Sequence, residues 1–184
     1  MTRKNSRADL ALTTLFAVLS IGVTVLLLRN VEKIEHLYDK PDEKPLFYQV
    51  DTKYKFTNKD YICLAKNIFF EAGTESDIGK YAVAQVTINR MENWRWPDTI
   101  CEVVHQPYQF SWTLDRSLHY KQLSGPNWDR SLNVAYHVLF NGIRLSLVDD
   151  AHFYHATYVY PRWAPKKEVV TRIENHIFYK FIDT

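Results

Sequence analysis

The chain has 184 residues, with 23 lysines and arginines against 21 aspartates and glutamates, and only two cysteines. Setting aside Arg3, Lys4, Arg7 and Asp9 leaves 20 basic and 20 acidic residues beyond Leu28, so the bulk of the chain is formally neutral. That balance excludes the concentrated basic face a nucleic-acid partner requires, and the length excludes more than one ordinary domain once the first stretch is set apart.

The first stretch, Leu10 to Leu28, is a run of 19 residues without a charge. As a helix it spans about 28 Å, close to the hydrocarbon thickness of a bilayer, and it is apolar on every side, unlike a helix of a soluble core. Residues 1–30 are therefore expected to form a cytoplasmic amino terminus and one transmembrane helix. Arg3, Lys4 and Arg7 hold the amino terminus inside, which places the rest of the chain on the periplasmic or outer side of the cytoplasmic membrane. No Ala-x-Ala site follows the run, so an uncleaved signal anchor is expected. Residues 31–57 mix charges with Pro41 and Pro45 and read as a stalk.

Helical signals begin at Thr57 and Asn58, with Asp60 placed as in a capping box, and continue to Ala72 before Gly73. A second helix is predicted from Asp77 to about Met91 with Ile78, Ala82 and Val86 on one face. Asp98 and Thr99 cap a short third helix carrying Ile100, Val103 and Val104. Asn127 and Gly142 bracket a fourth with Leu132, Ala135, Tyr136 and Leu139 inward. From Ala151 to Tyr160 and from Val169 to Ile182, β-branched and aromatic residues dominate, with Glu174-Asn175 as a hairpin turn. The fold class is α+β, mainly helical, with a small C-terminal antiparallel sheet, in a domain over residues 58–184 of about 125 residues, enough to bury a core. Cys63 and Cys101 are expected to form a disulfide in an oxidising compartment, although spacing alone does not establish their proximity.

Glu71 borders an almost unbroken apolar stripe at the end of the first helix, projecting about 20° from Leu64 and about 60° from Ile68 at 100° per residue. A carboxylate that gives up water for such surroundings has its pKa raised, the state a general acid needs. Gln109, Phe110, Ser111 and Trp112, the segment from His152 through Tyr154 to His155, and Asn175-His176 combine aromatic surface with hydrogen-bonding groups, as does Trp163. Sugar rings need that mixture, because their C–H faces stack on aromatics while their hydroxyls need donors and acceptors. Most tryptophans are expected in the core, with Trp112 and Trp163 excepted because they lie in loop-like sequence. His152, His155 and His176 invite a zinc reading, but residues three apart on a strand point to opposite faces. No metal or other cofactor is assigned. Ser111 lacks the Gly-x-Ser-x-Gly surroundings of a nucleophile.

Six segments in one order resemble the SleB/CwlJ-like cell-wall hydrolases: Cys63-Leu-Ala-Lys-Asn-Ile-Phe-Phe-Glu71-Ala, Val83-Ala-Gln-Val-Thr-Ile-Asn-Arg90, Pro97-Asp-Thr-Ile-Cys-Glu-Val-Val104, Gln109-Phe-Ser-Trp112, Ala151-His-Phe-Tyr154 and Arg172-Ile-Glu-Asn-His-Ile-Phe-Tyr179. The resemblance implies a reduced lysozyme or lytic transglycosylase fold, peptidoglycan glycan strands as substrate, and Glu71 as catalytic residue. One departure stands out: the family commonly continues with Ala-Arg-Gly-Glu after that glutamate, whereas this chain reads Glu71-Ala-Gly-Thr-Glu75. Glu75 is expected on a helix surface. With one convincing carboxylate, the expected reaction is lytic transglycosylation between N-acetylmuramic acid and N-acetylglucosamine, with Gln109, Ser111, Tyr154 and His176 positioning the sugar. The setting is wall remodelling or phage-type lysis. A zinc-dependent peptidoglycan amidase and a non-catalytic wall-binding module are the competing readings.

Overall fold

The structure, a computed structural model, describes residues 21–26, 28, 29 and 44–182. The chain divides into two compact units, Met1–Glu43 and Lys44–Thr184. In the first, the described residues are helical and expose Ile21, Val23, Val25, Leu26 and Leu28. Among the described residues no helix is long and apolar enough to cross a membrane. Most of the expected span from Leu10 to Leu28, its basic flank and the first part of the expected stalk lie outside the described residues.

The second unit is α+β and mainly helical, with two small antiparallel sheets. It opens with β1 (Phe47–Gln49), which pairs antiparallel with β2 (Ile143–Leu145). The stalk reading of residues 31–57 is thus corrected from Lys44 onward: this segment belongs to the domain, tied down by Val50 donating to the Gly142 carbonyl at 2.9 Å. Gly142 has φ 64°, and a Cβ there would lie 2.0 Å from the Val50 carbonyl oxygen, so only glycine fits. A three-residue strand with its partner far along the chain leaves little sequence pattern.

Helix α1 (Asn58–Ala72) starts at the expected capping box, in which Thr57 and Asp60 exchange hydrogen bonds. Helix α2 (Asp77–Met91) is capped by Ser76, α3 (Ile100–His105) by Thr99, and the single turn α4 (Arg116–His119) by Asp115. Helix α5 (Pro126–Phe140) begins with proline in its first turn. Its buried stripe is Ser131, Val134, Ala135, Val138 and Leu139. Tyr136, expected inward, falls about 100° from Ala135 around the wheel and is 48% exposed, resting against Phe140 instead.

The C-terminal sheet has the order β3-β5-β4, from Phe153–Ala156, His176–Lys180 and Glu168–Ile173. Glu174 and Asn175 turn the β4-β5 hairpin as expected, with Glu174 at φ 48°. Helix α2 lies between two cores. One joins α1, α3 and α5 through residues such as Leu64, Ile68, Ile88, Val103 and Leu139; the other joins Ala82 and Val86 to Leu145, Val148, Ile173 and Phe178. The polar residues of this buried helix find partners in the loops. Asn89 donates to the Val148 and Ala151 carbonyls at 3.0 and 2.8 Å, and Gln85 accepts from the Leu145 amide. The Asn67 amide of α1 donates to Thr87.

Cys63 of α1 and Cys101 of α3 form a disulfide with their Cα atoms 5.3 Å apart, closing a 38-residue separation. A loop of that length constrains the unfolded chain. Reduction, or Cys101→Ala, is expected to cost about 2 to 4 kcal/mol, read from the urea midpoint of the domain with and without reductant.

Candidate active site

Glu71 sits in the last turn of α1, on the face where Leu64 and Ile68 are fully buried. Burial raises its carboxyl above the ordinary value of 4.5; a hydrogen bond from Tyr154 and the positive charge of Arg90 pull the other way without cancelling the shift. The Tyr154 hydroxyl donates to Oε2 of Glu71 at 3.1 Å. Burial and the Glu71 charge hold the phenol well above its ordinary value, so it remains a donor.

Strand β3 delivers Tyr154 through its pairing with β5, where Tyr154 faces Phe178 and Ala156 faces His176. The same side of the sheet therefore presents His176, whose ring stands 5.3 Å from that of Tyr154 at 87°. His176 is 7% exposed, its Nδ1 is buried without a hydrogen-bond partner, and burial lowers its pKa. Phe110, 2% exposed, lies 6.5 Å from the Tyr154 ring. The structure thus gathers Glu71, Tyr154, His176 and Phe110.

The other expected residues lie elsewhere. Trp112 is only 6% exposed, stacked on Phe70 at 4.8 Å with its Nε1 donating to Asn67 at 3.0 Å, so the expectation that it escapes the core is corrected. A loop-like sequence here forms a 3-10 turn over Ser111–Leu114 whose indole drops inward to the buried amide. Gln109 and Ser111 flank Phe110 on the exposed surface. Alternation along β3 turns Phe153 and His155 away from Tyr154, toward Trp163 at 5.7 and 5.6 Å. His152 stacks on Trp96 at 5.3 Å in that second aromatic group. His155 is engaged there with the Tyr179 hydroxyl at 2.8 Å, on the opposite face from His176. Among the described residues no group of three His, Cys, Asp or Glu side chains converges as a metal site.

Glu75, expected on a helix surface, lies instead in the loop between α1 and α2. Its Oε1 accepts from Asn175 at 3.1 Å, while its carbonyl accepts from the buried Lys80 ammonium. Glu174 accepts from the Ser76 amide at 3.0 Å, and its hydrogen bonds with Glu75 and Ser76 lower its pKa. Its side chain crosses from the hairpin to the start of α2. Gly73 occupies the position of the family's arginine; a Cβ there would lie 2.3 Å from the Phe69 carbonyl oxygen, so this turn as folded holds no side chain.

Sequence reasoning missed Arg90. It is 5% exposed, donates from Nε to the His152 carbonyl at 2.7 Å, and lies over the Phe110 ring at 5.3 Å. The signal was present: Arg90 falls about 40° from Val86 on the wheel, a cation on an apolar face.

A carboxyl whose native pKa exceeds its unfolded value binds its proton more tightly when folded, so stability is lost as pH rises from the unfolded value through the native one. Glu71→Gln removes that loss. The variant is expected to match the wild type below about pH 4 and to exceed it near neutrality, as read from urea midpoints across pH.

The model of the family described as Cell Wall Hydrolase matches residues 74–179. The matched stretch holds Arg90, Phe110, Tyr154 and His176 and begins just after Glu71. A comparison with curated proteins finds no match. Among solved structures, the catalytic domain of the Bacillus cereus SleB protein is similar at 20% identity, with a TM-score of 0.57 over 72% of this chain and 98% of that one. The catalytic domain of the germination-specific lytic transglycosylase SleB from Bacillus anthracis is similar at 21% identity, with a TM-score of 0.56 over 71% of this chain and 100% of that one. At this identity the likeness shows a shared fold. The family match, spanning more than half of the chain, carries the assignment: this chain belongs to the cell wall hydrolase family.

Proposed function

We propose that the domain cuts the glycan strands of peptidoglycan between N-acetylmuramic acid and N-acetylglucosamine as a lytic transglycosylase, with Glu71 as acid and then base. The carrying observation is a single desolvated carboxyl held by a tyrosine hydroxyl. Burial favours the protonated form of Glu71 that a leaving oxygen needs, and Tyr154 on Oε2 leaves Oε1 to deliver the proton. The bond from muramic acid C1 to the bridging oxygen breaks as that oxygen takes the proton. The carboxylate then takes the proton of the same sugar's 6-hydroxyl, whose oxygen bonds to C1. Glu71 ends protonated, and no water is consumed.

A hydrolytic route needs a second carboxylate about 5 to 10 Å away across the bond. Glu75 and Glu174 are the nearby acids in the chain's turn region, and both are engaged with each other, Asn175 and the start of α2. The name of the Bacillus anthracis relative supports the transglycosylase reading. Tyr154 and His176 would position the sugar, with Gln109 and Ser111, exposed on either side of Phe110, as further candidates. We further place the domain outside the cytoplasmic membrane, held by residues 10–28, in wall remodelling or phage-type lysis; the uncharged run and the basic residues before it support this.

Digestion of purified peptidoglycan by the full chain, with mass analysis of the fragments, tests the reading. The expected fragments end in 1,6-anhydro-N-acetylmuramic acid, one water lighter than lysozyme products, and Glu71→Gln is expected to lower the rate by about 10² to 10⁴. Reducing ends carrying oxygen from labelled water would overturn transglycosylation. Amide cleavage abolished by a chelator would overturn the glycosidic reading altogether.

A further inference from the structure

Arg90 has a feature that packing does not explain: its Nη1 is buried and has no hydrogen-bond partner. Buried donors of native proteins almost always find acceptors, and an uncompensated buried cation is costly. The guanidinium is fixed at Nε by the His152 carbonyl and is sandwiched by Phe110 at 5.3 Å and Trp96 at 6.0 Å. Phe110 in turn meets Tyr154, whose hydroxyl is on Glu71. No Arg90–Glu71 ion pair is present among the described residues.

We propose that Arg90 is a positioning residue for the reaction and the counter-charge of Glu71 in the stage when Glu71 has given up its proton. The inference rests on the acid-then-base role given to Glu71 above. In the resting state burial favours the neutral form of Glu71, which needs no cation. After proton delivery, a carboxylate stands in apolar surroundings with Tyr154 as its one hydrogen-bond donor among the described residues, and Arg90 is the group acting on it with a permanent charge and an unused donor. Tyr154 of β3 and Arg90 of α2 act on Glu71. His176 of β5 flanks Tyr154 and is itself influenced by Glu75 and Glu174, while His152 and Arg95 lie on the Trp96 side of Arg90. No other cation influences Glu71 among the described residues, and the turn at Gly73 leaves no room for one there.

The test is a titration of Glu71 in the full chain labelled with 13Cδ-glutamate, the signal being identified by its absence from Glu71→Gln. In Arg90→Gln the Glu71 midpoint is expected to rise by about one pH unit or more, and in Arg90→Lys to stay near the wild-type value. The falling, high-pH limb of wall cleavage should move upward with it. Maximal turnover should drop about 10- to 100-fold with half-saturation unchanged, since the lost interaction belongs to the later stage. A folded Arg90→Gln with lowered melting temperature but an unmoved midpoint and limb would overturn the proposal and leave Arg90 a packing residue. If Arg90→Gln does not fold, Arg90→Met takes its place with the same readouts: a raised midpoint supports the proposal and an unmoved one overturns it, while Arg90→Lys, which keeps the charge, is expected to restore turnover toward the wild type. The midpoint is read without substrate, so failure of the coupling is distinguishable from failure of the transglycosylase reading, which the fragment masses report.

Discussion

The need to satisfy the polar groups of a buried helix governs this domain. Helix α2 has a core on each side, yet it carries Lys80, Gln85, Thr87, Asn89 and Arg90 where water cannot reach them. Leaving such groups unpaired costs about 1 to 3 kcal/mol each, more for the charged ones. Lys80 is answered by the Glu75 carbonyl, Gln85 by the Leu145 amide, Asn89 by the Val148 and Ala151 carbonyls, and Arg90 by the carbonyl of His152. All but the Lys80 anchor run along the segment that leads into β3. Held against α2 at its start and paired with β5 along its length, the strand brings Tyr154 onto the last turn of α1.

The same arrangement sets two demands against each other. In the reaction proposed above, a proton donor requires the apolar wall that raises Glu71, but the wall disfavours the carboxylate through which that cycle would pass. Tyr154 and Arg90 moderate the desolvation without abolishing it. Arg90 belongs to both systems, fastened to the scaffold at Nε and electrostatically coupled to the acid. Scaffold and site are therefore not separable layers, and a change in the β3 lead-in reaches the carboxyl through one side chain.

Much of this was legible in the sequence, for identifiable reasons. Thr57 with Asp60, Thr99, and the Glu174-Asn175 turn are local signals whose partners lie within a few residues, and the elements they delimit stand where expected. Glu71 was legible because its neighbours on the wheel are apolar. Trp112 misled because only the fold supplies Asn67, 45 residues away, as an inward partner for its indole. The β1-β2 ribbon and the role of Glu75 depend on partners about 100 residues distant. Periodicity located α2 but gives no partner for a polar residue on its buried faces, so Arg90 and Asn89 passed as ordinary members of a motif.

The 83-residue separation between Glu71 and Tyr154 also orders events during synthesis. The acid emerges early, on a helix whose cap is local, but its tyrosine partner comes much later. Tyr154 is fixed only when β5, which lies between β3 and β4, has been made. A nascent chain therefore carries its glutamate without the partner that orients it until nearly the whole domain has left the ribosome. On the role proposed for Glu71, the site is thereby completed only near the end of synthesis.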